Sequence, residues 1–175
     1  DDSLDILIAL MQQDKRIKII DLSRNFGKET AMTAGLDVAK GDAVVIIDAD
    51  LQDPPELITE MVKIWRTGFD VVYAKRTKRK GESLIKKATA RLFYKLINKI
   101  SDHEIPENVG DFRLMSRQAV DALNQVRERK RFMKGLFAWI GFPQTAIEYS
   151  RDPRLAGKTN WNYRKLTKFA IEGIS

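Results

Sequence analysis

The sequence predicts an α/β domain built on a mostly parallel sheet. Three observations carry that expectation. Helix-like and strand-like apolar patterns alternate along residues 1–74, short links join them, and the run Ala43–Asp48 is apolar almost throughout, without the alternation of a half-exposed strand.

The elements follow in order. Leu4, Leu7, Ile8, Leu10 and Met11 have helical spacing, so Leu4–Met11 is expected to be a helix. Ile17–Leu22 reads as a strand, and Lys28–Ala39, rich in Ala and Met, as a helix that ends before Gly41. Ala43–Asp48 is the buried strand, Pro54–Arg66 a helix stopped by Gly68, and Asp70–Ala74 the next strand. The second half changes character. Ser83–Ile100 is an amphipathic helix with Leu84, Ile85, Leu92 and Leu96 on one face and Lys86, Arg91, Lys95 and Lys99 on the other. A loop at 101–110 precedes a short strand at Asp111–Met115. Helices are expected near Arg117–Val126 and Phe132–Trp139, and an edge strand at Pro143–Tyr149. Residues 150–160 are loop-like, and Tyr163–Ile174 is again amphipathic and basic.

Composition sets the bounds. The chain has 175 residues, 43% apolar and 31% charged, which suits one globular domain rather than a disordered chain. The lack of cysteine excludes disulfides and thiolate metal sites. No apolar run reaches the length of a membrane-spanning helix, and the acidic N-terminus has no signal-peptide pattern. Charge is unevenly divided. Residues 1–74 hold 8 basic and 14 acidic residues, whereas residues 75–175 hold 23 basic and 10 acidic. The second half therefore carries a net charge of +13 and calls for a polyanionic partner: a phosphorylated substrate, anionic lipid or nucleic acid.

The chemistry concentrates in VVIIDADLQDPPE, Val44–Glu56. In an extended strand, positions i and i+2 point to the same side, so Asp48 and Asp50 are expected to project together. They would do so at the carboxyl end of a strand, where open α/β sheets bind ligands. Adjacent carboxylates repel unless a cation lies between them, and oxygen-only donors suit a hard divalent ion, Mg²⁺ or Mn²⁺. Gln52 can add an amide oxygen. A plainer role as caps or turn residues stays open for both aspartates. Asp53 reads as a helix N-cap, with Pro54 at the first helical position and Glu56 completing a capping box.

The stretch LSRNFGKETAMTAGLDVAKGDAVVIIDADLQDPPELI (Leu22–Ile58) resembles the family 2 glycosyltransferases that act on polyprenyl phosphates, among them bactoprenol glucosyltransferases and dolichyl-phosphate mannose synthases. GDFRLMSR (Gly110–Arg117) and RDPRLAGKTNWNYRKL (Arg151–Leu166) match further blocks of that family in order, so the resemblance spans nearly the whole chain. It implies a GT-A fold and an inverting, metal-dependent transfer of a sugar from a nucleotide-diphosphate donor, a UDP-sugar with glucose as the first guess. The acceptor would be a polyprenyl phosphate such as undecaprenyl phosphate. Asp48, Asp50 and Gln52 would hold Mg²⁺ or Mn²⁺ on the donor diphosphate. Asp50 and Asp111 become the catalytic candidates, Asp111 as a base or as the partner of Arg113 or Arg117.

Arg76 and Arg91 are then candidates for the acceptor phosphate, with a solvated helix face as the alternative for Arg91. Arg113 is expected to support Asp111 or the core more than substrate. Arg151, Arg154 and Lys158 lie on a Gly-containing loop of the kind that closes over a diphosphate. Asn25 and Lys28 stand at a strand-to-helix turn beside the expected nucleotide edge, Asn25 with capping as its plainer role. His103 has no assigned role, and Trp139 and Trp161 suit the core or a membrane interface.

The resemblance also implies a first strand and nucleotide segment before residue 1, and transmembrane helices from about where KFAIEGIS ends. The chain is thus expected to be a GT-A catalytic fragment, residues 1–175, of a membrane-associated protein facing the cytoplasm. Its basic helices would contact the membrane surface. A homo-oligomer stays open. A family 2 transferase with a polysaccharide or lipid acceptor is the nearest competitor. A basic nucleic-acid-binding module is disfavoured, because no RNP, zinc-finger or aromatic-basic motif is present.

Overall fold

A computed structural model describes residues 2–50, 52–78, 109–127 and 133–150. The expected helices at 83–100 and 163–174 and the expected loop at 150–160 lie outside the described residues, Ser150 excepted. The chain packs as two compact units, Asp1–Val38 and Ala39–Ser175.

The first unit contains α1 (Ser3–Gln13) and α2 (Lys28–Val38). Both match the expected spans to within two residues. No residue of α1 is buried, and α2 buries Leu36. The strand expected at Ile17–Leu22 is not formed; the segment carries no ladder. A lone extended segment gains nothing from its β-prone residues without a neighbour to bond. Among the described residues it has none. The turn before α2 is built locally. Asn25 Oδ1 accepts from the Gly27 amide at 2.9 Å, and Gly27 sits at φ +92°, a conformation that suits a residue without Cβ.

The second unit is a four-stranded mixed sheet with helices on it: β1 (Ala43–Ile46), α3 (Leu57–Trp65), β2 (Val71–Lys78), β3 (Val109–Ser116), α4 (Arg117–Gln125), α5 (Met133–Trp139) and β4 (Gln144–Ser150). The strand order is β1-β3-β2-β4. β3 pairs antiparallel with both β1 and β2, and β4 pairs parallel with β2. Hence β1, β2 and β4 all point one way, as expected of a mostly parallel sheet. The reversed β3 separates β1 from β2, which the sequence did not foretell.

Burial follows the topology. β3 lies between two strands, and seven of its eight residues are buried. β1 is half-buried rather than buried as expected, because it stands at the end of the described sheet with β3 as its one partner there. β4, the opposite end, alternates cleanly: Ile147 and Tyr149 point into the core while Ala146, Glu148 and Ser150 face out. The core on this face gathers Met61 of α3 with Val72, Ala74, Phe112, Leu114, Ile147 and Tyr149. The helix α3 supplies Leu57, Ile58, Val62 and Trp65 around it.

Backbone and side chains stitch the amino ends of β1 and β2 to the carboxyl end of β3. The Ser116 amide donates to Asp70 O at 2.7 Å and the Arg117 amide to Asp42 O at 2.8 Å. Ser116 caps α4 by accepting from the Ala119 amide at 3.2 Å, and its hydroxyl donates to Asp70 Oδ1 at 2.7 Å. The Arg117 guanidinium donates to Gly41 O through Nε at 2.9 Å and Nη2 at 2.7 Å. These bonds close this end of the sheet, and the turn that follows β1 stands at the opposite end.

Candidate active site

The stretch that carries the Asp-X-Asp pair leaves the sheet earlier than expected. β1 ends at Ile46, and Ala49 and Asp50 lie in a turn. Strand alternation therefore does not govern Asp50. The turn is held instead by Asp50 Oδ1, which accepts from the Gln52 amide at 3.2 Å. Asp48, Asp50 and Gln52 are all half-buried on this one turn at the carboxyl end of β1. Their donors are oxygens throughout, which fits a hard divalent cation that takes its other ligands from phosphates. Among the described residues no group of three or more His, Asp or Glu side chains gathers as a metal site. Two carboxylates and an amide are thus what this turn has to offer a metal ion.

Asp53 is not the helix cap that its neighbours suggested. α3 begins at Leu57, with Glu56 at the cap position making no side-chain cap bond. The two prolines supply the acceptors: Leu57 N donates to Pro54 O at 3.2 Å and Ile58 N to Pro55 O at 3.0 Å. The Asp53 side chain turns inward and is 1% exposed. Its Oδ1 accepts from the Tyr149 hydroxyl and lies 3.9 Å from Arg76 Nη2. Arg76 Nε donates to the Tyr149 hydroxyl oxygen at 3.2 Å. Burial and the bond to Asp53 push the Tyr149 phenol above its ordinary pKa, against the opposing pull of Arg76.

Gly110 accommodates this cluster. A Cβ there would stand 2.6 Å from Arg76 Nη2, so the guanidinium lies directly on the β3 backbone. The next residue is Asp111, half-buried on β3. It occupies an irregular stretch. The register passes from Tyr73↔Arg113 to Lys75↔Val109, so β3 uses four residues where β2 uses two. Such bulges interrupt pairing and re-aim side chains, and they are common beside active sites.

Arg113 behaves as a structural residue. It is buried, its Nη2 donates to Gly110 O at 3.1 Å, and its guanidinium stacks 3.6 Å from the centroid of the Phe137 ring on α5. Burial lowers its pKa to about 10, and the charge of Asp111 opposes that shift. Of the two arginines considered for Asp111, Arg113 is the one on which its charge acts. Arg117 is not: its contacts go to Gly41 and, at 3.2 Å, to Asp121. Trp139 is 58% exposed and belongs to no core.

The described ones among the expected residues, Arg113 aside, thus fall into three sets. Asp48, Asp50 and Gln52 share a turn, while Arg76 and Asp111 meet the β3 backbone at neighbouring positions. Asn25 and Lys28 lie in the first unit, Asn25 as the turn residue already described. Arg91, Arg151, Arg154 and Lys158 lie outside the described residues. Sequence reasoning missed the Asp53–Tyr149 contact and the part of Gly110. The one available signal for Tyr149 is its place two residues after Ile147 on an alternating strand.

The described fold, a mixed sheet flanked by helices with an acidic turn at its carboxyl end, is the α/β architecture of GT-A sugar transferases. The glycosyl transferase family 2 profile matches residues 1–123, and the chain belongs to that family. It is 56% identical over 174 residues to an uncharacterized glycosyltransferase of Synechocystis sp., covering 99% of this chain and 55% of that protein. It is also 48% identical over 170 residues to the bactoprenol glucosyl transferase of Shigella phage SfV, covering 97% and 55%. Among solved structures, mannosyl-3-phosphoglycerate synthase from Rubrobacter xylanophilus aligns at TM-score 0.44 and 20% identity, over 85% of this chain and 48% of that one. The chain spans about half the length of the curated relatives it matches.

Proposed function

We propose that this chain is the catalytic part of an inverting enzyme that transfers a sugar, glucose first, from a UDP-sugar to a polyprenyl phosphate such as undecaprenyl phosphate. The observation that carries the reading is the oxygen-donor turn of Asp48, Asp50 and Gln52 at the carboxyl end of β1. Membership of family 2 and the 48% identity to bactoprenol glucosyl transferases support the substrate classes.

Asp48, Asp50 and Gln52 would hold Mg²⁺ or Mn²⁺. When bound, the ion would neutralise charge on the departing diphosphate. The chain's own residues have the remaining work. The acceptor is a phosphate monoester with a second pKa of about 6, so near neutral pH it is mostly dianionic. One of its oxygens attacks the anomeric carbon from the side opposite the nucleotide. The bond from that carbon to the diphosphate oxygen breaks, and the electron pair leaves with the diphosphate. No proton need move for the dianion; for the monoanion, Asp111 would take one.

Arg76 and Arg91 hold the acceptor phosphate, while Arg151, Arg154 and Lys158 meet the diphosphate. Asn25 and Lys28 serve the nucleotide. The enzyme works at the cytoplasmic face of a membrane, whose anionic surface the basic second half contacts. Among the described residues no helix is long and apolar enough to cross a membrane.

Calorimetric titration of UDP and UDP-glucose into the full-length protein, with and without Mn²⁺, tests the donor site. Binding is expected to require the ion and to fall at least tenfold in Asp50→Ala. Nucleotide binding that ignores both the ion and the substitution would sink the assignment. Transfer of labelled glucose to undecaprenyl phosphate, against a polysaccharide acceptor, decides the acceptor class.

A further inference from the structure

The third aspartate of the acidic stretch sits in an environment unlike the other two. Asp53 is buried and neither caps α3 nor lies on the oxygen-donor turn. We propose that Asp53 and Tyr149 are a positioning pair that fixes the Arg76 guanidinium at the carboxyl end of the sheet, where its outer N–H donors meet a phosphate group of the substrate. The inference rests on the reading of the site given above, and assigns it two residues that the reading did not contain.

The geometry is directional. Arg76 and Tyr149 are direct partners across the parallel β2–β4 pairing. The Tyr149 hydroxyl has one proton, and it goes to Asp53. The oxygen is then left to accept from Arg76 Nε. Cation, hydroxyl and carboxylate therefore form one polarised chain, and reversing any link would set donor against donor. The tyrosine has little room to leave. Its ring packs edge-on to Phe112, with centroids 6.4 Å apart at 88°, and it is 6% exposed.

The chain engages the inner edge of the guanidinium. Gly110 leaves room for Nη2 against the β3 backbone, and Asp53 lies on the same nitrogen. Among the described residues Arg76 Nη1 makes no hydrogen bond, and the side chain keeps 13% of its surface. An arginine engaged through Nε and Nη2, with Nη1 left without a hydrogen bond, is pre-set for an oxyanion. Asp53 follows Gln52 directly, so the anchor also ties Arg76 to the donor turn.

The test is a mutant cycle on the full-length protein, using Tyr149→Phe, Arg76→Ala and the double variant. Acceptor KM for undecaprenyl phosphate is expected to rise about tenfold in Tyr149→Phe, with kcat within threefold of wild type and metal-dependent UDP binding within twofold. In the Arg76→Ala background, Tyr149→Phe should change nothing further, since its effect acts through Arg76. A merely structural tyrosine would give effects that multiply. An unchanged KM in Tyr149→Phe, or multiplying effects, overturns the pair.

Asp53→Asn, which keeps the shape and removes the charge, replaces Tyr149→Phe if the latter does not fold. Calorimetric titration with inorganic phosphate runs the same cycle without any transfer. No phosphate binding to wild type, or equal binding to Tyr149→Phe, overturns the pair. An intact phosphate cycle in a protein that transfers no sugar sinks the proposed function and leaves the pair standing.

Discussion

At the residue scale, Asp53 and Gly110 are where local sequence and structure part. Asp-Pro-Pro-Glu has the composition of a helix start, and the helix does start there, three residues later than a cap at Asp53 would place it. The proline carbonyls take the first amides, so the carboxylate is released to a partner 96 residues away. Nothing within the stretch announces that partner. Asp48, Asp50 and Gln52 fall on one turn because they are neighbours in sequence, whereas the Asp53–Tyr149 contact depends on which strands pair. Gly110 makes the same point in reverse. Its value lies in what it lacks, since Arg76 Nη2 fills the place of a Cβ. Arg76 donates to the Tyr149 hydroxyl at 3.2 Å and so yields less readily than a free surface arginine would. Gly110→Ala is therefore expected to cost about 1–3 kcal/mol, the usual range for overpacking, measured by urea unfolding. It should also shift Arg76 and lower phosphate affinity.

At the element scale, helices were read well and strand pairing was not. The spans of α1, α2, α4 and α5 agree with expectation because amphipathic spacing, caps and glycine stops are local signals. Pairing is a long-range choice. Ile17–Leu22 has strand composition but no ladder, and β3 inserts between two strands that the alternation of elements would have set side by side. The junction between β3 and α4 is held by side-chain bonds at the closed end. Ser116 serves there as both cap and donor to Asp70, and it is 6% exposed. Ser116→Ala removes both bonds and is expected to destabilise the protein by about 1–2 kcal/mol. Metal-dependent nucleotide binding should persist in the folded fraction, because the donor turn lies at the other end of β1. A chemical denaturation curve paired with a Mn²⁺–UDP titration checks both halves of that expectation.

At the scale of the whole molecule, charge separates along the chain: an acidic first part bears the carboxylate turn, and a basic second part carries +13. Binding to anionic phosphatidylglycerol vesicles is expected at about 0.1 M salt, where the screening length is about 10 Å. It should be largely lost near 1 M salt, where that length is about 3 Å, and vesicles of zwitterionic lipid should bind weakly at either salt. Co-sedimentation measures this, and salt-independent binding would argue for apolar insertion in place of charge. The fold class was legible from the alternation of elements, and the family from ordered sequence blocks, two of which lie within the matched residues 1–123.

The reversed middle strand has a consequence for how the protein is made. A chain emerging from the ribosome delivers β1 by residue 46 and β2 by residue 78, yet these two never touch in a ladder. Both wait for residues 109–116 to arrive and run between them. Synthesis at about 5–20 residues per second leaves the edges that β3 will fill without that partner for seconds. Through that interval the edges that await β3 are open to wrong partners, including other nascent chains. Ribosome pauses downstream of residue 78 would lengthen that exposure, whereas pauses after residue 116 would come once the gap is filled.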